Sequence, residues 1–227
     1  MKILPIIMLF TLSSFAETYI SGSIITNSVI NDGNFNNRAS GTIISKDIVT
    51  SSFNKIDIDI PADVTINREN SRKISIKTDD NVMDKVKIYV KKDTLFIRTK
   101  GSFSSTGINL TINNPHLTAL TIDGASTINL QGFNERYFTL TIDGSSDVSF
   151  HRGNFDTFSI QADGSYDVNL LKVDIKNAKV KAEGAGEIKI KVSNYLDIDL
   201  IDTVEVKYLG NPKIKKSIKD VSDLIKI

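Results

Sequence analysis

Carboxylates recur in this sequence at a spacing that could hold a hard cation. Asp123, Asp143, Asp163 and Glu183 fall 20 residues apart, and Thr127, Asp147, Asp167 and Glu187 follow at the same step. Oxygen ligands stacked in this way suit calcium, so Asp143, Asp147, Asp163 and Asp167 define a candidate calcium ladder. Solvated turn acids are the simpler reading, because an Asp side chain bonds to its own turn. The Gly-Gly-x-Gly-x-Asp spacing of calcium-binding β-rolls is also absent. The same four aspartates are the candidates for a polysaccharide lyase or hydrolase, which works with clustered acids. Such sites need long loops to build a cleft, and the segments carrying these acids are short and free of insertions. His116 and His151 are the only histidines, and no cysteine accompanies them as a zinc ligand. No Gly-x-Ser-x-Gly elbow, phosphate loop or His-Glu-x-x-His occurs. The residues therefore read as non-catalytic, with no cofactor and no committed metal site.

What must position these acids is a repeat. Four copies of one motif follow each other: TIDGASTINL from Thr121, TIDGSSDVSF from Thr141, QADGSYDVNL from Gln161 and KAEGAGEIKI from Lys181. Gly124, Gly144, Gly164 and Gly184 are its corners, where glycine reaches positive φ at little steric cost. Each copy shows apolar residues at every second position on both sides of the corner, the period of a half-buried strand. Asp-Gly is also a hairpin signal, which would pair the two strands of one motif antiparallel. A constant step favours a coil instead, because each position then stacks on its equivalent one turn later, about 4.8 Å away.

Four columns of predicted core follow from that step. They are Leu120, Leu140, Ile160 and Val180; Ile122, Ile142, Ala162 and Ala182; Ile128, Val148, Val168 and Ile188; and Leu130, Phe150, Leu170 and Ile190. All are apolar in a chain that is 40% hydrophobic. The expected fold is all-β: a right-handed parallel β-helix-like solenoid with coils of about 20 residues and an irregular N-terminal β cap.

The flanks divide as follows. Residues 1–16 read as a secretory signal peptide, with Lys2 as the positive start, Ile3 to Leu12 as the apolar run and Ser14-Phe15-Ala16 as the cleavage site. That run is too short to span about 30 Å of hydrocarbon as an anchor. No other segment approaches spanning length, so no transmembrane segment is expected in the mature chain. Residues 17–41 read as a flexible polar leader, with Thr42 to Val49 as a first strand. Residues 42–116 form the irregular cap and first coils, with a helical turn at Asp80 to Lys85 and a tight turn at Lys92-Asp93. Residues 117–210 are the repeat coils and 211–227 a lysine-rich C-terminal cap. The corner after Gly184 is Asp202-Thr203, 18 residues on and without glycine.

A net charge of +1 and 7% aromatic residues give no case for nucleic acid. The absence of cysteine excludes disulfides and a lipid-modified N-terminus. Abundant isoleucine, asparagine and lysine fit a bacterium with AT-rich DNA. Charge is uneven: residues 101–170 hold two arginines against seven acids, and residues 171–227 hold twelve lysines against nine acids. One acidic and one basic end would let copies stack head to tail.

An ordered set of motifs carries a family resemblance. Ser52-Phe53-Asn54-Lys55-Ile56 leads into Ala62-Asp63-Val64-Thr65-Ile66, then Lys92-Asp93-Thr94-Leu95-Phe96-Ile97, the DGSSDV-type repeats and Tyr208-Leu209-Gly210-Asn211-Pro212. Together they resemble the bacterial "putative auto-transporter adhesin, head GIN domain" family over roughly Ile44 to Ile227. The resemblance implies a right-handed parallel β-helix-like fold, export to the envelope and an adhesive role, with no catalytic motif to carry over. The chain departs from the pattern where Asp202-Thr203-Val204 replaces a glycine corner, and it has no transporter β-barrel.

The expected function is an exported, non-enzymatic envelope or surface protein in the periplasm or on the surface of a bacterium. It would bind a protein or glycan partner through Ser/Thr/Asn/Asp columns on the solenoid faces. A β-helix polysaccharide lyase or hydrolase is one alternative, and a purely structural periplasmic protein is the other.

Overall fold

The computed structural model describes residues 17–20, 23–26 and 38–227. The signal-peptide reading of residues 1–16 lies outside the described residues. Two compact units are present, residues 1–38 and 39–227. In the first, β1 (Glu17–Ile20) pairs antiparallel with β2 (Ser23–Thr26).

The second unit is all-β apart from one helical turn, α1 (Asp80–Met83). Its strands are β3 (Ile43–Val49), β4 (Lys55–Asp59), β5 (Ala62–Arg68), β6 (Lys73–Asp79), β7 (Val86–Lys91), β8 (Thr94–Thr99) and β9 (Asn109–Asn114), then β10 (Ala119–Gln131), β11 (Asn134–Ala182), β12 (Ala185–Leu200), β13 (Thr203–Leu209), β14 (Lys213–Ile218) and β15 (Asp223–Lys226). These 13 strands form one open mixed sheet. β11 runs for 49 residues because its corners stay in the hydrogen-bonded ladder.

The 20-residue step is a pairing register. β10 pairs parallel with β11, with Leu120 on Leu140, Gly124 on Gly144 and Leu130 on Phe150. β11 pairs parallel with β12, with Val168 on Ile188 and Leu170 on Ile190. The antiparallel hairpin reading of the Asp-Gly corners is therefore excluded. All sixteen predicted core positions are buried. Burial of each large aliphatic side chain contributes about 1.5–3 kcal/mol, so the columns hold the passes in register.

Between Leu170 and Asn177 the register shifts, and the step falls from 20 to 18. Beyond it Val180 pairs with Ile198, Ile188 with Val206 and Val206 with Leu224. The corner without glycine is accommodated directly: Asp202 adopts φ +71 and Asp220, 18 residues later, φ +58. Asp tolerates this left-handed conformation better than most residues.

The N-terminal strands add passes in an order the sequence does not follow. β4 and β5 pair parallel with β10, while β8 pairs with β4 and β9 with β5. The first pass thus lies between the second and the third. The chain crosses back over it at residues 114–118, where Thr118 N–H donates to Asn54 O at 2.8 Å and Asn114 Nδ2 donates to Phe53 O at 3.1 Å. β7, β6 and β3 then cover the rim antiparallel to β8, β9 and β6. Lys92 and Asp93 turn between β7 and β8 with φ +47 and +61, the signs a tight hairpin requires.

Two core columns end in lysine. Lys216 pairs with Ile198 below Val180, and Lys226 pairs with Tyr208 below Ile190. A charge at the last interior position blocks growth of the stack by another strand.

Candidate interaction surface

The outward positions of the same passes make polar ladders. On the strand after the corner, Asp63 pairs with Thr127, Thr127 with Asp147, Asp167 with Glu187, Glu187 with Glu205 and Glu205 with Asp223. Two residues further along, Asn129, Ser149, Asn169, Lys189 and Lys207 form the neighbouring column. Like charges stacked one pass apart repel, and the two halves of the face treat this differently. In the C-terminal half Lys189 and Lys207 bond Glu187, and Lys207 also reaches Glu205 at 2.5 Å. Hydrogen bonds from these lysines lower the Glu187 pKa below the usual carboxylate range, and Glu187 in turn raises that of Lys207. Alongside Asp147 and Asp167 stand only Ser149 and Asn169, and both carboxylates are exposed.

The candidate cation ligands do not form a cage. Asp143 and Asp163 sit at the corners, Asp147 and Asp167 on the following strand, and all four are exposed. Among the described residues no group of three or more His, Cys, Asp or Glu side chains could hold a metal ion. His116 and His151 have separate neighbours: His116 Nδ1 lies 3.3 Å from Glu135 Oε1, and His151 pairs in register with Gln131.

A third polar column escaped the sequence reading. Phe155, Ile175 and Val192 are buried where the passes turn back, and a groove of 860 Å³ lies over them. Its walls carry two outward rows. Asn154 Nδ2 donates to Asn134 Oδ1 at 2.9 Å, and Lys191 pairs with Asp174 at 2.6 Å. Asp156 pairs with Lys176 at 2.7 Å, and this bond, then the Lys176 charge and that of Arg136, lowers the Asp156 pKa. A second cavity of 460 Å³ has Glu135 in its lining, as the groove does, together with Asn54, Arg72, Asp93 and His116. The signal for this column was present, since Asn134 and Asn154 are 20 apart. It lay in the turns between motif copies rather than in the motif itself.

One carboxylate is structural. Asp79 is fully buried, and its Oδ2 accepts from Thr106 N–H at 2.8 Å, Thr106 Oγ1 at 3.0 Å and Ser105 Oγ at 3.1 Å, while Oδ1 accepts from Gly41 N–H at 2.9 Å. The Thr106 N–H foremost, with Gly41 N–H and the two hydroxyls, outweighs burial and lowers its pKa to about 2. It ties the 100–107 loop and the start of β3 to the end of β6.

The model of the family described as "Putative auto-transporter adhesin, head GIN domain" matches residues 52–212. The chain belongs to this family. The resemblance read from the motifs is thereby borne out. A solved "putative adhesin" from Bacteroides fragilis NCTC 9343 superposes with a TM-score of 0.67 at 18% identity, covering 84% of this chain and 99% of that one. A "putative lipid binding protein" from Parabacteroides distasonis ATCC 8503 gives 0.54 at 18% identity, covering 84% and 98%. A "putative adhesin" from Parabacteroides merdae ATCC 43184 gives 0.53 at 15% identity, with the same coverage. At these identities the likeness is one of fold. Comparison with curated proteins finds no match. Among the described residues of this family member, no helix is long and apolar enough to cross a membrane.

Proposed function

We propose that the chain is an exported, non-enzymatic binding module of the bacterial envelope or cell surface, adhesin-like, with its passes wound as a right-handed parallel β-helix-like solenoid. The observation that carries this reading is the run of polar columns on successive parallel passes, Asp63 through Asp223, with no long loop inserted between them. A flat surface of repeated hydroxyls, amides and carboxylates offers many weak contacts to a glycan or protein partner, whereas catalysis needs groups converging on one reacting atom. Family membership supports the adhesive part of the reading, and the segment 1–16 supports export.

A glycan and surface-protein array run beside a reducing-sugar assay tests it. Binding without sugar release is the expected result. Release of sugar would replace it with a polysaccharide lyase or hydrolase, and neither binding nor release would replace it with a purely structural envelope role.

A further inference from the structure

We infer that the groove along the turns of the passes is a binding site for a linear, uncharged polysaccharide laid parallel to the stack. The inference rests on the adhesin-like reading above and names its site and ligand class.

Shape is the first argument. The trough over Phe155, Ile175 and Val192 runs across successive passes from Asn134 to Asn211, and a second cavity beside Asn54 and His116 shares Glu135 with it. Passes are about 4.8 Å apart, and an extended sugar chain advances by a similar distance per residue. Equivalent wall groups, such as Asn134 and Asn154, therefore meet equivalent positions of the polymer.

Charge is the second. The cations lining the two cavities are Arg72, Arg136, Lys176 and Lys191. The anions are Asp93, Glu135, Asp156 and Asp174, so the walls balance at four against four. Lys176 is already paired with Asp156 and Lys191 with Asp174. A polyanion would have to break these pairs, whereas a neutral chain of hydroxyls can bond to amides and paired charges as they stand. The side-chain oxygen Oδ1 of Asn54, a residue lining the second cavity, is buried without a partner within the protein.

The third is a pair of exposed aromatic rings. Tyr137, 61% exposed, follows the groove residue Arg136, whose guanidinium lies 5.5 Å from its ring centre, and Tyr195, 38% exposed, pairs in register with Asn177 and Lys213. Ring faces of this kind cover the apolar faces of sugar rings. A peptide strand is disfavoured, because the trough crosses the strands and offers no free sheet edge to pair with.

The test is calorimetric titration of the full chain with neutral polysaccharides (a soluble β-glucan, mannan, xylan and galactan) and with polygalacturonate as the acidic probe. At least one neutral polymer is expected to bind, with little dependence on salt. The exposed pair N134A/N154A should weaken it about tenfold, and Tyr137→Ala should weaken it too, both with unchanged melting. K46A/K77A, exposed on the rim strands β3 and β6, should leave it intact. Failure of every neutral polymer to bind overturns the inference, as does binding that the groove variants do not weaken. Loss in K46A/K77A alone would reject the groove and keep the adhesin-like reading. A preference for polygalacturonate that salt abolishes would reject the uncharged ligand.

Discussion

Corner glycines are not equivalent, and the difference is measurable. Gly124 and Gly164 have φ +102 and +104, so an alanine at either costs about 1–2 kcal/mol in backbone strain. A Cβ on Gly124 would meet nothing within 4 Å, whereas one on Gly164 would lie 2.2 Å from the Gly144 carbonyl oxygen of the pass beside it. Denaturant unfolding should show Gly164→Ala distinctly less stable than Gly124→Ala; equal losses would mean that the corners are not stacked. Asp79 sets a pH dependence. Its folded pKa of about 2 lies below the unfolded value of about 3.9, so its contribution is complete above pH ~4 and is lost as pH falls through 2. Asp79→Asn should flatten the melting temperature across that window, and an unchanged acid profile would contradict the role. The glycines were legible as turn residues; Asp79 was not, because its partners Gly41, Ser105 and Thr106 come from two segments remote in sequence.

At the scale of elements, the period carried most of what could be read. Sixteen core positions followed from alternation and a constant step, because parallel pairing stacks like on like. The order of the first passes was hidden, since β8 and β9 lie outside β4 and β5 and no local pattern records which pass lies on which. The groove column was missed because it belongs to the turns, where spacing drifts from 20 to 18. One substitution inside the repeat is matched across passes: Tyr166 takes the place of Ser126 and Ser146, and Gly186 stands on it. The Tyr166 hydroxyl donates to Glu183 O at 3.2 Å, and a Cβ on Gly186 would come within 2.2 Å of its ring. Gly186→Ala should therefore destabilise by about 1–3 kcal/mol through overpacking, and Tyr166→Ser in the same chain should recover part of the loss. Additive losses in thermal melts would contradict that pairing.

For the folded body as a whole, both ends of the stack decide whether copies add to one another. The uneven charge along the sequence suggested an acidic end meeting a basic one. Both ends of the stack carry lysines: Lys87, Lys91 and Lys92 lie on or beside the N-terminal rim strand β7, and Lys213, Lys215 and Lys216 lie on β14. Lys216 and Lys226 also end the core columns. Light scattering of the wild type should show a monomer at low salt, and K216I/K226I should self-associate, because that pair extends the apolar columns to an open edge. The reverse pattern would remove the capping role. The claim on which the binding surface depends is that residues twenty apart are neighbours, so that outward side chains form continuous ladders. The sequence has no cysteine, so an introduced pair reports alone. Asn129→Cys with Ser149→Cys, which pair in register, should cross-link under mild oxidation, since stacked Cα atoms lie within the disulfide range. Asn129→Cys with Asn169→Cys, two passes apart at about 9.6 Å, should not. Cross-linking of the second pair and not the first would contradict the account.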